Sequence, residues 1–137
     1  MWGEAGHAYV YFVYGMHFCM NVVTRSPGVP QAVLIRALAP EIGLSLMRDR
    51  RGLASDAPDW RLCRGPGALC RALGITRAEN GADLTLGPLR ILDGDAVPAR
   101  RVVRTARIGV AYAGADAARP WRFAVSGEPA VTRARPV

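Results

Sequence analysis

Aromatic side chains are concentrated in one short stretch of the chain. Tyr9, Tyr11, Phe12, Tyr14 and Phe18 lie within ten positions, although the 137 residues contain only three Phe, four Tyr and three Trp. An aromatic side chain on a β-loop can insert between the base steps of DNA. The alternative for Tyr14, which falls near a predicted hairpin tip, is a solvent-exposed tyrosine that costs some stability. Both interpretations are open from the residues alone.

Two polar residues interrupt otherwise apolar runs. Arg36 lies within VLIRAL and Asn21 within FCMNVV. A buried arginine without a partner is unfavourable, so Arg36 must reach an anion, a carboxylate or a cleft, or else lie on the solvent face of an edge strand. Asn21 is equally well explained as a hydrogen-bonded amide of the core.

The charge balance predicts an anionic partner. Eighteen basic and eleven acidic side chains give a net charge of +7, and all eighteen are arginine. Codon bias explains arginine in place of lysine, but it does not explain the excess of positive charge. Nucleic acid is the commonest partner of such a chain. Because lysine is absent, no side-chain amine can form a Schiff base.

Two further features each have two explanations. Gly65-Pro66-Gly67 precedes a predicted helix whose free N–H groups can hold a phosphate, but the tripeptide is also an ordinary helix start. Arg100, Arg101, Arg104 and Arg107 form either a phosphate-contacting face or a strand edge that charge protects from aggregation.

The cysteines and histidines do not predict a metal site. Cys63 and Cys70 are seven residues apart, with no CxxC pair and no paired histidines nearby. We expect both thiols, and that of Cys19, to be reduced and mostly buried. No metal and no other cofactor are expected.

Composition predicts a single globular domain. Half of the residues are hydrophobic and 21% are charged, which excludes a disordered chain. No apolar run approaches the roughly 18 residues of a membrane helix, and residues 1–6 contain Glu4 and no basic side chain, unlike a secretory signal. We therefore expect a soluble cytoplasmic protein without a membrane partner.

The pattern of residue types predicts more strands than helices. A hairpin is expected from the β-prone runs on either side of Gly15, with a third strand after it. We expect Ile42, Leu46 and Met47 on the inner face of the first helix, and a mobile surface loop after it. The predicted strands are 8–14, 16–24, 31–38, 89–92, 107–113 and 122–126, the helices 41–50 and 66–73, and the turns 80–81 and 93–95. This order indicates an α+β fold with a largely antiparallel sheet.

Five segments together resemble the alkyladenine (3-methyladenine) DNA glycosylase family. They occur in the family's order and cover nearly the whole chain. They are residues 6–21 (GHAYVYFVYGMHFCMN), 33–40 (VLIRALAP), 65–75 (GPGALCRALGI), 107–110 (RIGV) and 120–123 (PWRF). The resemblance implies a single compact α+β domain with a curved antiparallel sheet and a protruding hairpin.

The resemblance also implies roles for individual residues. Tyr14 matches the hairpin-tip tyrosine that fills the space left by a flipped nucleotide, and Tyr11 matches an aromatic wall that stacks on the flipped base. Asn21 matches an amide that tests the edge of the base. Arg36 and the backbone carbonyl of Ile108 match groups that hold the hydrolytic water. Met16, beside Tyr14, is also expected to contact DNA.

By this resemblance the chain is expected to excise damaged purines from double-stranded DNA. The family is monofunctional, acts as a monomer and removes 3-methyladenine, 7-methylguanine or hypoxanthine after flipping the nucleotide. In bacteria this work is done on cytoplasmic DNA, in the nucleoid.

The sequence departs from the family at two places. Ala68 stands where the family has a lysine, which Arg64 or Arg71 would have to replace. The family's catalytic glutamate lies in a segment upstream of the hairpin that residues 1–137 do not contain, and neither Glu4 nor His7 substitutes for it. We therefore expect a domain that lacks its N-terminal part, with Met1 an internal methionine, and weak or no excision. The alternative is a non-catalytic module that binds lesions in nucleic acid.

Overall fold

The hairpin near the start of the chain organises the fold. The computed structural model describes residues 1–131. β1 (Ala8–Val13) pairs over its whole length with β2 (His17–Val23), and β3 (Ala32–Leu34) adds to the other side of β2, so the three strands form an antiparallel sheet in the order β1-β2-β3. Aromatic and β-branched residues dominate both hairpin strands, which is the composition that favours a pleated, half-buried surface.

The core lies between one face of this sheet and a helix. Ala8, Val10 and Met20 project from the sheet and pack with Leu69 and Cys70 of α2 (Pro66–Leu73). Alternation along a strand places these three strand residues on the same face. The cluster also contains Ala72 of the same helix and four residues of the neighbouring segments, Leu62, Cys63, Ile75 and Leu84.

α2 has the boundaries expected from the sequence. Pro66 occupies its first turn, and Gly74 ends it in the left-handed conformation (φ 72°), donating its N–H to carbonyls of the last turn. Proline is compatible with a first turn because its missing N–H has no partner there. Glycine reaches positive φ without a Cβ clash. Both predictions for this helix are confirmed.

The first helix differs from its prediction. α1 runs over Leu44–Arg51, a few residues later than expected, because Gly43 precedes it at φ 76°. The face that packs on the core also differs from the prediction. Leu44 and Met47 pack against the core, whereas Ile42 is 85% exposed and Leu46 is 52% exposed. The predictions of an inner position for Ile42 and Leu46 are therefore wrong.

A second sheet forms in the last third of the chain, and its second strand confirms the prediction for 122–126. β4 (Val102–Thr105) pairs antiparallel with β5 (Arg122–Val125). No strand forms at 89–92 or 107–113, so those two predictions are wrong, and the third strand is much shorter than 31–38. Residues 111–117 instead form a 3₁₀ turn, kinked at Gly114. Short apolar runs do not distinguish a strand from a turn when no neighbouring strand is available.

The α+β class is confirmed, but in the part of the chain that the structure describes the strands belong to two antiparallel sheets rather than one curved sheet. Short 3₁₀ segments connect the main elements at Asp59–Arg61, Arg77–Glu79 and Ala99–Arg101. Among residues 1–131, no helix has the length and apolar character needed to cross a bilayer.

Candidate nucleic-acid interface

The tip of the β1–β2 hairpin carries two exposed, largely apolar side chains. Tyr14 is 81% exposed and Met16 is 66% exposed. Tyr14 and Gly15 have φ of 54° and 66°, the two positive values that a type I′ turn requires. The Met16 N–H donates to the Val13 carbonyl at 3.2 Å and closes the turn. The backbone thus holds a tyrosine outward in a conformation that non-glycine residues rarely adopt.

The sheet face opposite the core collects most of the predicted site residues. Tyr9 pairs with Asn21 and Tyr11 pairs with Cys19 across β1 and β2. Directly opposed residues share a face of the sheet, so these four side chains lie together. The rings of Tyr9 and Tyr11 are 5.3 Å apart, between centroids, and tilted by 32°.

The register brings Arg36 to the same row as Tyr11 and Cys19. Asn21 pairs with Leu34 across β2 and β3, and the Ile35 N–H donates to the Met20 carbonyl at 3.1 Å. Continuing this register one step places Arg36 opposite Cys19. The resulting cross-strand row is Tyr11–Cys19–Arg36. Cys19 was assigned no role from the sequence, although the pairing of the predicted hairpin could have placed it next to Tyr11.

The electrostatic interactions among Tyr11, Cys19 and Arg36 agree with their placement in one cross-strand row. Burial raises the pKa of Tyr11, and the neighbouring Cys19 raises it further. Burial also raises the pKa of Cys19, while a hydrogen bond with Tyr11 and the charge of Arg36 act in the opposite direction. The phenol therefore stays protonated at neutral pH, as a neutral aromatic wall against a base would need to be.

Arg36 lines a cavity of about 480 Å³ beside the row. Its Nε is buried and has no hydrogen-bond partner within residues 1–131. Burial lowers the pKa of the guanidinium, and the positive charge of Arg122 lowers it further. Arg122 lines the same cavity and donates to Thr105 Oγ1 at 3.0 Å. Two guanidinium groups at one cavity are suited to an anionic ligand, and sequence analysis did not single out Arg122.

Asn21 is a hydrogen-bonded amide, as one of the two explanations of this residue predicted. It is 7% exposed, and its side-chain NH₂ donates to the Tyr9 carbonyl at 3.0 Å. Ile108 is half-buried in the segment that follows β4. It does not belong to the residues that line the cavity of Arg36. The structure thus brings together Tyr11, Asn21 and Arg36 on one sheet face, with Tyr14 and Met16 at the hairpin tip and Ile108 apart.

The start of α2 packs tightly against the hairpin. A Cβ added to Gly67 would lie 2.9 Å from Cγ of His17, the first residue of β2. This distance is below van der Waals contact, so glycine is what allows the helix to approach. Arg64, which precedes the helix, places its guanidinium 4.9 Å from the centroid of the Trp60 ring. Arg64 remains exposed.

The cysteines behave as predicted. Cys19, Cys63 and Cys70 are free and buried, and burial raises the pKa of Cys70 to about 11. Such thiols are poor nucleophiles at neutral pH. Within residues 1–131, no three His, Cys, Asp or Glu side chains come together as a possible metal site.

An exposed aromatic hairpin tip beside a sheet face with Tyr11 and Arg36 defines a candidate DNA-binding protein. The chain belongs to the methylpurine-DNA glycosylase (MPG) family, whose model matches residues 1–129. Three relatives, each named "Putative 3-methyladenine DNA glycosylase", illustrate the similarity. Proteins of Methanocella arvoryzae, Methanoculleus marisnigri and Anaeromyxobacter dehalogenans are 48%, 47% and 46% identical over 99%, 97% and 99% of this chain. The same alignments cover 66%, 68% and 58% of those relatives, so the chain spans about two-thirds of their length.

Proposed function

We propose that this chain recognises alkylated or deaminated purines in double-stranded DNA and takes part in base-excision repair. The reaction is hydrolysis of the N-glycosidic bond of a flipped nucleotide carrying 3-methyladenine, 7-methylguanine or hypoxanthine. The observation that carries the proposal is Tyr14, 81% exposed on a left-handed backbone at the hairpin tip. Membership of the methylpurine-DNA glycosylase family supports it.

Flipping a nucleotide leaves a gap in the base stack, which Tyr14 fills from the hairpin tip. Met16, two residues further along, contacts the neighbouring base pair. Extrusion costs a few kcal/mol, and the cost is lowest at damaged pairs. A group that occupies the gap stabilises the flipped state and therefore amplifies the difference between damaged and normal sites.

The flipped base lies against the face of Tyr11. Alkylation makes a purine electron-poor or cationic, and its attraction to an aromatic face is about 1–2 kcal/mol when water is excluded. Asn21 tests the edge of the base and disfavours guanine with its extra amino group. One N–H of its amide donates to the Tyr9 carbonyl, so the second N–H remains for the base, where it would face the amino group of guanine as an unfavourable contact between two donors.

Arg36 positions the water that attacks C1′. The role that the family resemblance gives to the Ile108 carbonyl requires Ile108 to approach the cavity of Arg36, which it does not line. The absence of lysine supports a monofunctional reaction without a Schiff-base intermediate. Glu128 is the carboxylate that lines the cavity of Arg36, but its Oε1 accepts a hydrogen bond from the Ala130 N–H at 3.2 Å. We therefore assign no catalytic base within residues 1–131, and we expect this chain to bind lesions well and to excise them slowly.

Lesion binding without excision is the second candidate function. The observation that supports it concerns the Nε of Arg36. No carboxylate of residues 1–131 lies within hydrogen-bonding distance of this atom. Under this proposal the chain is a stable monomer that holds damaged duplexes in the bacterial nucleoid and leaves the glycosidic bond intact.

Base release separates the two candidates. The chain is incubated in excess with a duplex containing one hypoxanthine, and free base is measured by chromatography under single-turnover conditions. For the glycosylase we expect slow release that Arg36→Ala reduces by about tenfold or more while duplex binding is largely retained. Arg25→Ala, which removes an exposed arginine bonded to Gln31, is the matched control.

The outcomes have distinct meanings. Release that Arg36→Ala leaves unchanged contradicts the water-positioning role. Release that Glu128→Gln abolishes would make that carboxylate the base, contrary to our assignment. Tight binding with no release over many hours favours the non-catalytic module.

A further inference from the structure

The second sheet carries guanidinium groups stacked on exposed aromatic rings. Arg104 lies over the ring of Phe123 with its Cζ 5.0 Å from the centroid. Trp121 has Arg107 at 5.3 Å and Arg119 at 4.9 Å from its ring. These five residues, Arg104, Arg107, Arg119, Trp121 and Phe123, are called the arginine–aromatic array. The proposed function uses none of them.

The array includes one directly opposed pair of the β4–β5 sheet. Arg104 and Phe123 are directly opposed in the register of the two strands, so they share a face. Trp121 immediately precedes β5 and lies two residues before Phe123. Phe123 is 59% exposed and Trp121 is 50% exposed. About half or more of the surface of each of these two residues is therefore open to a ligand.

Arg107 and Arg119 are held in place while positive charge remains in excess in this segment. Arg107 donates to the Asp116 carbonyl at 3.2 Å, and Arg119 forms an ion pair with the Asp116 carboxylate. Asp116 is the single acidic residue between positions 100 and 125, a segment that contains six arginines. A surface of this charge attracts a polyanion.

We propose that the arginine–aromatic array binds a single-stranded stretch of DNA. Unpaired bases stack on Trp121 and Phe123, and the three arginines contact the phosphates. Proteins that bind single strands combine a basic track with aromatic platforms in this way. A duplex keeps its base faces inside the stack and cannot use the rings, which is why the exposed aromatic surface indicates unpaired nucleotides.

The array is continuous with the cavity of Arg36, because Phe123 lines that cavity as well. A strand locally unpaired at the cavity would therefore reach the array directly. The proposal does not depend on lesion recognition or base excision, since it concerns undamaged single strands. It is consequently tested with an oligonucleotide that contains no purine.

The test is fluorescence anisotropy of a labelled twelve-residue oligothymidylate titrated with the full chain. We expect Trp121→Ala to weaken binding by about tenfold, in line with the loss of one stacked base. Trp121→Phe should restore most of the affinity. Trp2→Ala, which removes a tryptophan that is 65% exposed elsewhere, is the matched control and should bind as the unmodified chain.

The salt dependence of oligonucleotide binding distinguishes the phosphate contacts of the arginines from base stacking. Arg104→Gln should reduce the slope of log K against log salt concentration by about 0.7, the contribution of one contact to a single-stranded phosphate. Arg77→Gln, at an exposed arginine of the segment Arg77–Glu79, removes the same charge and should leave the slope unchanged. Equal reductions in both variants would contradict the array.

A second measurement remains decisive if Trp121→Ala fails to fold. In the double variant Trp2→Phe, Trp60→Phe, Trp121 is the single remaining tryptophan of the three. Its emission should be quenched when the oligothymidylate is added. Unchanged emission at saturating oligonucleotide would overturn the proposal. So would sedimentation data in which Trp121→Ala converts a dimer to a monomer without affecting oligonucleotide binding, because the array would then be a contact between two copies of the chain.

Discussion

At the scale of the residue, Tyr14 is held in an unfavourable conformation. Its φ of 54° makes it the non-glycine residue with positive φ among those that the structure describes. The left-handed region costs an L-residue with a Cβ about 1–2 kcal/mol. Asparagine tolerates this region much better than tyrosine, and Asn-Gly is the preferred sequence of a type I′ turn. The presence of tyrosine at this position therefore indicates that it contributes to a property other than stability.

We predict that Tyr14→Asn stabilises the fold and weakens DNA binding. The free energy of unfolding should rise by about 1 kcal/mol, because the strain at the turn is relieved. Urea unfolding followed by circular dichroism measures this change. Tyr112→Asn is the control: Tyr112 is 88% exposed but has no positive φ, so its substitution should give no such gain. A less stable Tyr14→Asn chain would show that the turn is not strained.

Arg36 and Asn21 show how much of the candidate site can be predicted from single residues of the sequence. Each stands out in the sequence as a polar residue within an apolar run, and both lie on the face with Tyr11. Their surroundings could not be predicted, because Arg122 approaches Arg36 from β5, more than eighty positions away in the chain. Only the fold brings that second charge to the cavity.

At the scale of the elements, the hairpin and α2 form the unit that presents the site. The helix packs on the core face of β2, and the opposite face of the same strand carries Cys19 and Asn21. The position of the helix therefore sets the position of the site residues. At the start of the helix, a Cβ added to Gly67 would meet the His17 ring at 2.9 Å.

We predict that Gly67→Ala destabilises the chain although alanine favours helices. Overpacking costs about 1–3 kcal/mol, while the gain in helix propensity is at most about 1 kcal/mol. The expected net loss is about 1–2 kcal/mol in urea unfolding. Gly94→Ala is the matched control, because an added Cβ at Gly94 has open space and should change the unfolding free energy by less than about 0.5 kcal/mol. A stabilised Gly67→Ala chain would mean that the His17 ring moves aside freely.

These elements also show which parts of the fold can be predicted. The hairpin and α2 can be predicted from the sequence, because the backbone preferences of Gly15, Pro66 and Gly74 mark the hairpin turn and the two ends of the helix. The strand expected at 107–113 did not form, and β4 was missed. Its sequence, Val102–Thr105, is short and contains Arg104. Its strand conformation depends on pairing with β5, which is seventeen or more residues further along.

At the scale of the whole molecule, charge and shape act on different properties of binding. The net charge of +7 attracts any nucleic acid and makes all binding salt-dependent. It provides no discrimination between damaged and normal DNA. Discrimination is assigned to the hairpin tip and to the sheet face with Tyr11, which act only on a nucleotide that leaves the stack. Selectivity and overall affinity should therefore respond to different substitutions.

The most direct test of this account is the ratio of two affinities. Anisotropy titrations at one fixed salt concentration compare a duplex with a single central hypoxanthine and the same duplex with adenine. We predict that the full chain binds the damaged duplex about tenfold or more tightly, and that Tyr14→Ala weakens that binding much more than binding to the normal duplex, which brings the ratio close to one. Equal affinities for the two duplexes, or equal losses on both in Tyr14→Ala, would contradict the claim that this chain recognises damaged purines through its hairpin.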